Sequence, residues 1–176
     1  MDDKDFVKWV PEALALVRSS PYAGRIWPLC ANPNLGEEEI DKLPNSEPIK
    51  SNCHGTVLFC IGREDFVMGG LQYNKDLHYF ISAGRPGFVK FSLMEKFLEG
   101  VCEEVEEEKA VLAGFWDDKI ASPSLSHTAV YLGKARGMGV LFHQPDKGRK
   151  FCLTPFDEYW MAATNQRSTR FYALKK

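Results

Sequence analysis

The sequence predicts an α+β fold in which N-terminal helices pack on an antiparallel sheet of about five to six strands. Three observations carry this. Apolar residues recur at helical spacing near the amino end. Short runs rich in β-branched and aromatic residues, divided by turn signals, crowd the second half. The length of 176 residues, 44% of them apolar, suffices for the core of one domain, expected to span residues 1–176.

Phe6, Val10, Leu14 and Val17 mark the first helix, with Pro11 either kinking it or sitting in its first turn. Residues 28–50, "PLCANPNLGEEEIDKLPNSEPIK", combine prolines and turn formers with room for one short helix at "GEEEIDKL". Two readings stand for this segment: a lid beside a cleft, because long loops tend to be functional, or a plain surface insertion. In "SNCHGTVLFCIG", residues 51–62, Ser51 or Asn52 caps a helix that holds Cys53 in its first turn and buries Val57, Phe59, Cys60 and Ile61. Gly62 ends it. A buried strand with Cys53 inert in the preceding turn is the alternative. "KDLHYFISAG" reads as a strand.

"SLMEKFLEGVCEEV" reads as a helix opened by a capping box of Ser92 and Glu95, with Met94, Phe97, Leu98, Val101 and Val105 on its apolar side. The acidic run "CEEVEEEK" reads as a solvated face. "AVLAGFW", "HTAVYLG", "MGVLFH" and "RKFCLT" then form the antiparallel sheet. "TPFDEYWMAA" predicts a helix capped by Thr154, with Pro155 at its first position and Asp157 closing the box, and "TRFYAL" is a last strand.

The formal charge of -2 and a pI near 6.1 leave no basic excess for a phosphate backbone or an anionic lipid surface, so neither nucleic acid nor membrane is expected as a partner. No stretch nears the roughly 20 apolar residues that span a bilayer. The start, "MDDKDFVKWV", is acidic where a secretory signal is basic, so the product is expected to be cytoplasmic as synthesised, with injection or a non-classical export route if it works outside. Oligomeric state is not legible. Five cysteines, Cys30, Cys53, Cys60, Cys102 and Cys152, form an odd set without a C-x-x-C pair, which argues against a disulfide framework and a zinc knuckle.

Cys53 is the residue with chemistry to offer. A thiol in the first turn of a helix faces unpaired N–H groups and the positive end of the dipole, and both favour the thiolate. The same N–H groups can hold a developing oxyanion. Gly55 lets a substrate or another backbone approach. A base must come from His54, His78, His127 or His143. His54 adjoins Cys53 but points elsewhere on a helix, and reads as lining solvent or a cleft. His78 reads as structural.

The remaining two share a hairpin, "HTAVYLGKARGMGVLFH". Alternation puts His127, Ala129 and Tyr131 on one face and Thr128, Val130 and Leu132 on the other, while Gly139, Leu141 and His143 share a face of the second strand. With an odd loop centred on Ala135, paired residues have numbers summing to 270, and His127 lies directly opposite His143. A bulge at Gly137 or Gly139 would break that pairing. Paired, one imidazole would act as base and the other would orient it; a structural or surface pair is the other reading. A zinc site from Cys53, His127 and His143 lacks a fourth ligand and any short spacing, and no metal or organic cofactor is expected.

With "NCHG", "HTAVYLG" and the histidine of "LFH", the sequence resembles the NlpC-type cell-wall cysteine peptidases of the papain-like superfamily. In that family a motif like D-C-S-G opens a helix, a histidine begins a strand of the form H-V-x-I-Y-x-G, and a polar residue, often histidine, ends the next. The resemblance implies a papain-like fold with Cys53 as nucleophile, His127 as base and His143 as orienting residue. "SSPYAGRIW" is similar to the family's G-x-P-Y-x-W-G stretch, which points to Tyr22 near the oxyanion site, and "EYWMAATNQRSTRFY" is similar to its closing helix and strand. Asn52 and His54 stand where the family has aspartate and serine, beside the cleft, and are substrate-binding candidates. The implied activity is hydrolysis of amide bonds in the peptide stems or crosslinks of bacterial peptidoglycan. Rival readings are a protease, deamidase or acyl transferase effector acting on a protein, and an inactive binding module.

Overall fold

The computed structural model describes residues 3–32, 51–63, 79–82, 85–118, 122–145, 150–156 and 167–176. Four helices, α1 Asp3–Ser19, α2 Ala23–Ala31, α3 Cys53–Cys60 and α4 Phe91–Val101, accompany a short hairpin of β1 Tyr79–Ser82 and β2 Arg85–Val89. Six further strands are β3 Cys102–Glu104, β4 Leu112–Asp117, β5 Ser124–Ala135, β6 Met138–His143, β7 Cys152–Pro155 and β8 Arg167–Leu174. They form one antiparallel sheet in the order β3-β8-β4-β5-β6-β7. This is the expected α+β architecture with the expected strand number.

The sheet is buried on both faces. Leu112, Trp116, Val130, Phe142 and Tyr172 point to the helices, where Val57 and Leu58 of α3 and Met94, Phe97 and Leu98 of α4 complete the main core. Ala113, Phe115, Ala129, Tyr131 and Leu141 form a second cluster on the other face, with Phe156 and Phe171 against it. In α1, Trp9, Ala13 and Val17 are the buried stripe, whereas Phe6 stays exposed and stacks on Trp9 at 5.8 Å between centroids. The apolar face of α1 is therefore rotated from the one periodicity predicts. Pro11 lies inside α1 on its exposed side.

Other local expectations give way to tertiary pairing. The segment expected to leave the core from residue 28 instead continues as α2 to Ala31; residues 33–50, with the proposed lid, lie outside the described residues, as does His78. No Ser92–Glu95 capping box forms. Lys90 is the N-cap of α4 without a side-chain cap bond, and Glu95 Oε1 accepts the Leu125 N–H at 2.8 Å instead. That helix ends at Val101 because Cys102–Glu104 pairs with β8, so Val105 is not on it. Within the acidic run, Glu107 is tied to β5, accepting the Tyr131 hydroxyl at 2.7 Å and pairing with Lys134 at 2.7 Å. Thr154 and Pro155 belong to β7 rather than to a helix start; the rest of the expected helix from Asp157, residues 157–163, lies outside the described residues. No helix among the described residues is long and apolar enough to cross a membrane.

Candidate functional site

Asn52 caps α3 as its residue type predicts, its Oδ1 accepting the Gly55 N–H at 3.0 Å. The same side chain does more. Oδ1 also accepts the Val89 N–H at 3.0 Å, and Nδ2 donates to the Val89 carbonyl at 2.7 Å. Asn52 thus fastens the start of α3 to β2, a task for which an amide has both the acceptor and the donor and a carboxylate has no donor. Gly55 belongs to the same clamp: a Cβ there would overlap the Gly87 carbonyl. Both residues are engaged with backbone, so the structure does not support substrate binding by Asn52.

Cys53 is the first residue of α3 and half-buried. The turn behind it is latched to the sheet twice. His54 Nδ1 lies 2.9 Å from Thr128 Oγ1, and Thr56 Oγ1 shares its proton between the Asn52 carbonyl at 2.9 Å and Gln144 Oε1 at 3.3 Å. Thr128 and Gln144 are the chain neighbours of His127 and His143, so the latches bring the segment that carries the thiol to the segments that carry the imidazoles. His54 itself is 4% exposed, and burial pushes its pKa down to about 4. It is a neutral, hydrogen-bonded core histidine, not a cleft-lining one, because its ring lies over β5.

His127 and His143 meet: His127 Nε2 is 2.8 Å from His143 Nδ1, with ring centroids 4.9 Å apart at 80°. The register that joins them differs from the one expected. The hairpin closes on Ala135 and Met138 around the two-residue turn Arg136-Gly137, both with positive φ, so pairs near the turn sum to 273 rather than 270. An odd sum would turn the two rings to opposite faces. A bulge corrects it: Leu132 and Gly133 together oppose Val140, Gly133 at φ 102 takes a conformation that L side chains rarely adopt, and beyond it pairs sum to 272. His143 then falls opposite Ala129, and His127 reaches it on the diagonal. A second irregularity, between Phe115/His127 and Trp116/Leu125, leaves Ser126 as the extra residue just before His127, its Oγ donating to the Phe115 carbonyl at 2.8 Å. The His127 ring stacks on Phe115 at 5.7 Å.

The row continues across the next strand. His143 Nε2 lies 2.9 Å from Thr154 Oγ1, which lies 3.4 Å from Cys152 Sγ. His143 is 1% exposed, and burial pushes its pKa down to about 4. A neutral imidazole carries one proton, so His143 can donate at one nitrogen and accept at the other. It can therefore orient a neighbouring ring without competing for its proton.

Tyr22 stands elsewhere. It precedes α2, packs against the main core, and lines a cavity of about 460 Å³ with Leu16, Tyr131 and Lys134; Cys53, His127 and His143 are not among the lining residues. Burial raises its pKa. No group of three or more His, Cys, Asp or Glu among the described residues is arranged to hold a metal ion. Thr128, Gln144 and Thr154 were not named as site residues from sequence, and Thr154 was read as a helix cap. Alternation put Thr128 on the face opposite His127, which the structure shows to be the helix face, but Gln144 and Thr154 become visible only once β6 and β7 are in register.

No protein-family model, curated protein or solved structure matches this chain.

Proposed function

We propose that the chain is a papain-like cysteine hydrolase that cleaves amide bonds through Cys53, with His127 as base and His143 orienting it. The observation that carries the reading is the 2.8 Å contact between His127 Nε2 and a buried, neutral His143, set beside the strand residue to which the first turn of α3 is latched. Supporting it are the helix N-terminal position of Cys53 and the motif resemblance to NlpC-type peptidases.

In this mechanism His127 Nδ1 takes the Cys53 thiol proton while its Nε2–H is held by His143 Nδ1. The thiolate sulfur attacks the amide carbonyl carbon, and charge builds on the oxygen. Within the first turn the Gly55 and Thr56 N–H groups are bonded to Asn52, and the oxyanion is assigned to the backbone at the start of α3 by the helix N-terminal position of Cys53. The carbon–nitrogen bond breaks as His127 returns the proton to the leaving amine. Water, deprotonated by His127, then hydrolyses the thioester to a carboxylate and the free thiol. The substrate proposed is a peptide stem or crosslink of peptidoglycan. The same centre acting on a protein is the second reading, favoured by the departures at Asn52 and His54 from the family motif.

The other thiols supply an internal reference, since burial raises the pKa of Cys30 and Cys102 to about 11 and also raises that of Cys152. With iodoacetamide at pH 6, Cys53 is expected to alkylate roughly 100-fold faster than any of these, and His127→Ala to remove the advantage. Equal rates at all thiols would end the proposal. Mass spectrometry of purified peptidoglycan after incubation decides the substrate: new stem-peptide fragments, absent with Cys53→Ala, are expected from a wall enzyme and not from a protein-directed one.

A further inference from the structure

We propose that Thr154 is a positioning residue of the same site: its hydroxyl is the acceptor that lets His143 carry its proton on Nε2, and thereby lets His127 act as a base. The inference rests on the reading of Cys53 and His127 given above. Its geometry is a hydrogen-bonded row on one sheet face across three adjacent strands, from His127 on β5 to His143 on β6 to Thr154 on β7. Leu141 pairs with Thr154 and His143 with Cys152, so His143 reaches Thr154 diagonally, as His127 reaches His143.

Two proton arrangements fit such a row. In the first, His127 Nε2–H donates to His143 Nδ1, His143 Nε2–H donates to Thr154 Oγ1, and the Thr154 hydroxyl proton turns to Cys152 Sγ. In the second every donor is reversed, and neutral His127 holds its proton on Nδ1. Only the first leaves neutral His127 with a bare Nδ1 to receive a thiol proton. It alone also serves the imidazolium that follows, whose Nε2–H needs an acceptor. A hydroxyl at 154 serves either arrangement, accepting from His143 Nε2–H in the first and donating to a bare Nε2 in the second, so it makes the first available. An isosteric methyl cannot accept, and a buried N–H left without this partner is more costly than a bare ring nitrogen. Without the hydroxyl the proton moves to Nδ1 of His143, which then donates to His127 Nε2 and forces the His127 proton to Nδ1. The relay would be intact in shape and reversed in polarity.

The test compares wild type, Thr154→Val, Thr154→Ala and Thr154→Ser by imidazole nitrogen NMR and by iodoacetamide alkylation of Cys53 at pH 6. Valine keeps the volume and suits a strand, alanine is a second deletion of the oxygen, and serine restores it. Wild type and Thr154→Ser are expected to show His143 protonated on Nε2. Both hydroxyl-free variants are expected to show it on Nδ1 and to alkylate Cys53 at least 10-fold more slowly. An unchanged His143 tautomer in the hydroxyl-free variants overturns the inference. A switched tautomer with undiminished alkylation keeps Thr154 as the group that sets the proton and overturns instead the reading of His127 as base.

Discussion

Acidifying the protein from pH 7.5 to 5.0 is expected to destabilise it through His54 and His143. Each has a folded pKa of about 4, lowered from 6.5 by burial. Between those values the unfolded chain binds two protons that the folded chain excludes. The stabilisation is therefore complete above pH 6.5 and is lost as the pH falls toward 4. Each pKa unit corresponds to about 1.4 kcal/mol, so at pH 5 each histidine has forfeited about 2 kcal/mol and the pair about 4 kcal/mol. Against a typical total of about 5–15 kcal/mol this is a large fraction. Urea titrations followed by tryptophan fluorescence read it as a midpoint lower by roughly 2 M, for a slope of about 2 kcal/mol per molar. Other titrating groups are removed by comparison with His54→Asn, whose Oδ1 stands near the position of Nδ1 and can accept from Thr128. The variant should lose one proton from the pH dependence between 5.0 and 6.5, flattening it by up to about 1.4 kcal/mol per pH unit. An identical pH slope in the variant and wild type would refute the buried, neutral state of His54.

Asn52→Asp, which restores the residue common in NlpC-type motifs, removes the donor to the Val89 carbonyl and sets a carboxylate against it; a loss of about 2 kcal/mol is expected, visible as a fall of roughly 4–8 °C in thermal midpoint. An unchanged midpoint would show that the clamp to β2 carries no load. Deleting Gly133 removes the extra residue of the bulge and leaves Leu132 alone opposite Val140, so the pairing from Tyr131 and Leu141 onward, and with it the common face of His127 and His143, should be kept. The expected result is a retained His127–His143 nitrogen coupling in NMR spectra; loss of the coupling with the sheet signals retained would mean that the bulge itself aims the rings.

The residues acting locally were legible in the sequence. Pattern identified strands β4 to β8 and the helices α1 and α4, though not β3, and a helix at α3 capped by Ser51 or Asn52 followed from side chains that bond their own backbone. Alternation put His127 and His143 on a common face because a residue's face depends on the parity of the register alone. What the sequence could not supply was anything set by another segment's demand on the same group. Glu95 was drawn from its cap to Leu125, Thr154 was drawn from a helix start to β7, and His54 was buried over β5 instead of facing the cleft. The diagonal contact of the histidines depended on a tight turn and a bulge whose offsets cancel in parity and not in position. Tertiary structure decided these because burying a polar group forces it to take whichever partner the packed neighbour presents, and that neighbour lies tens of residues away along the chain.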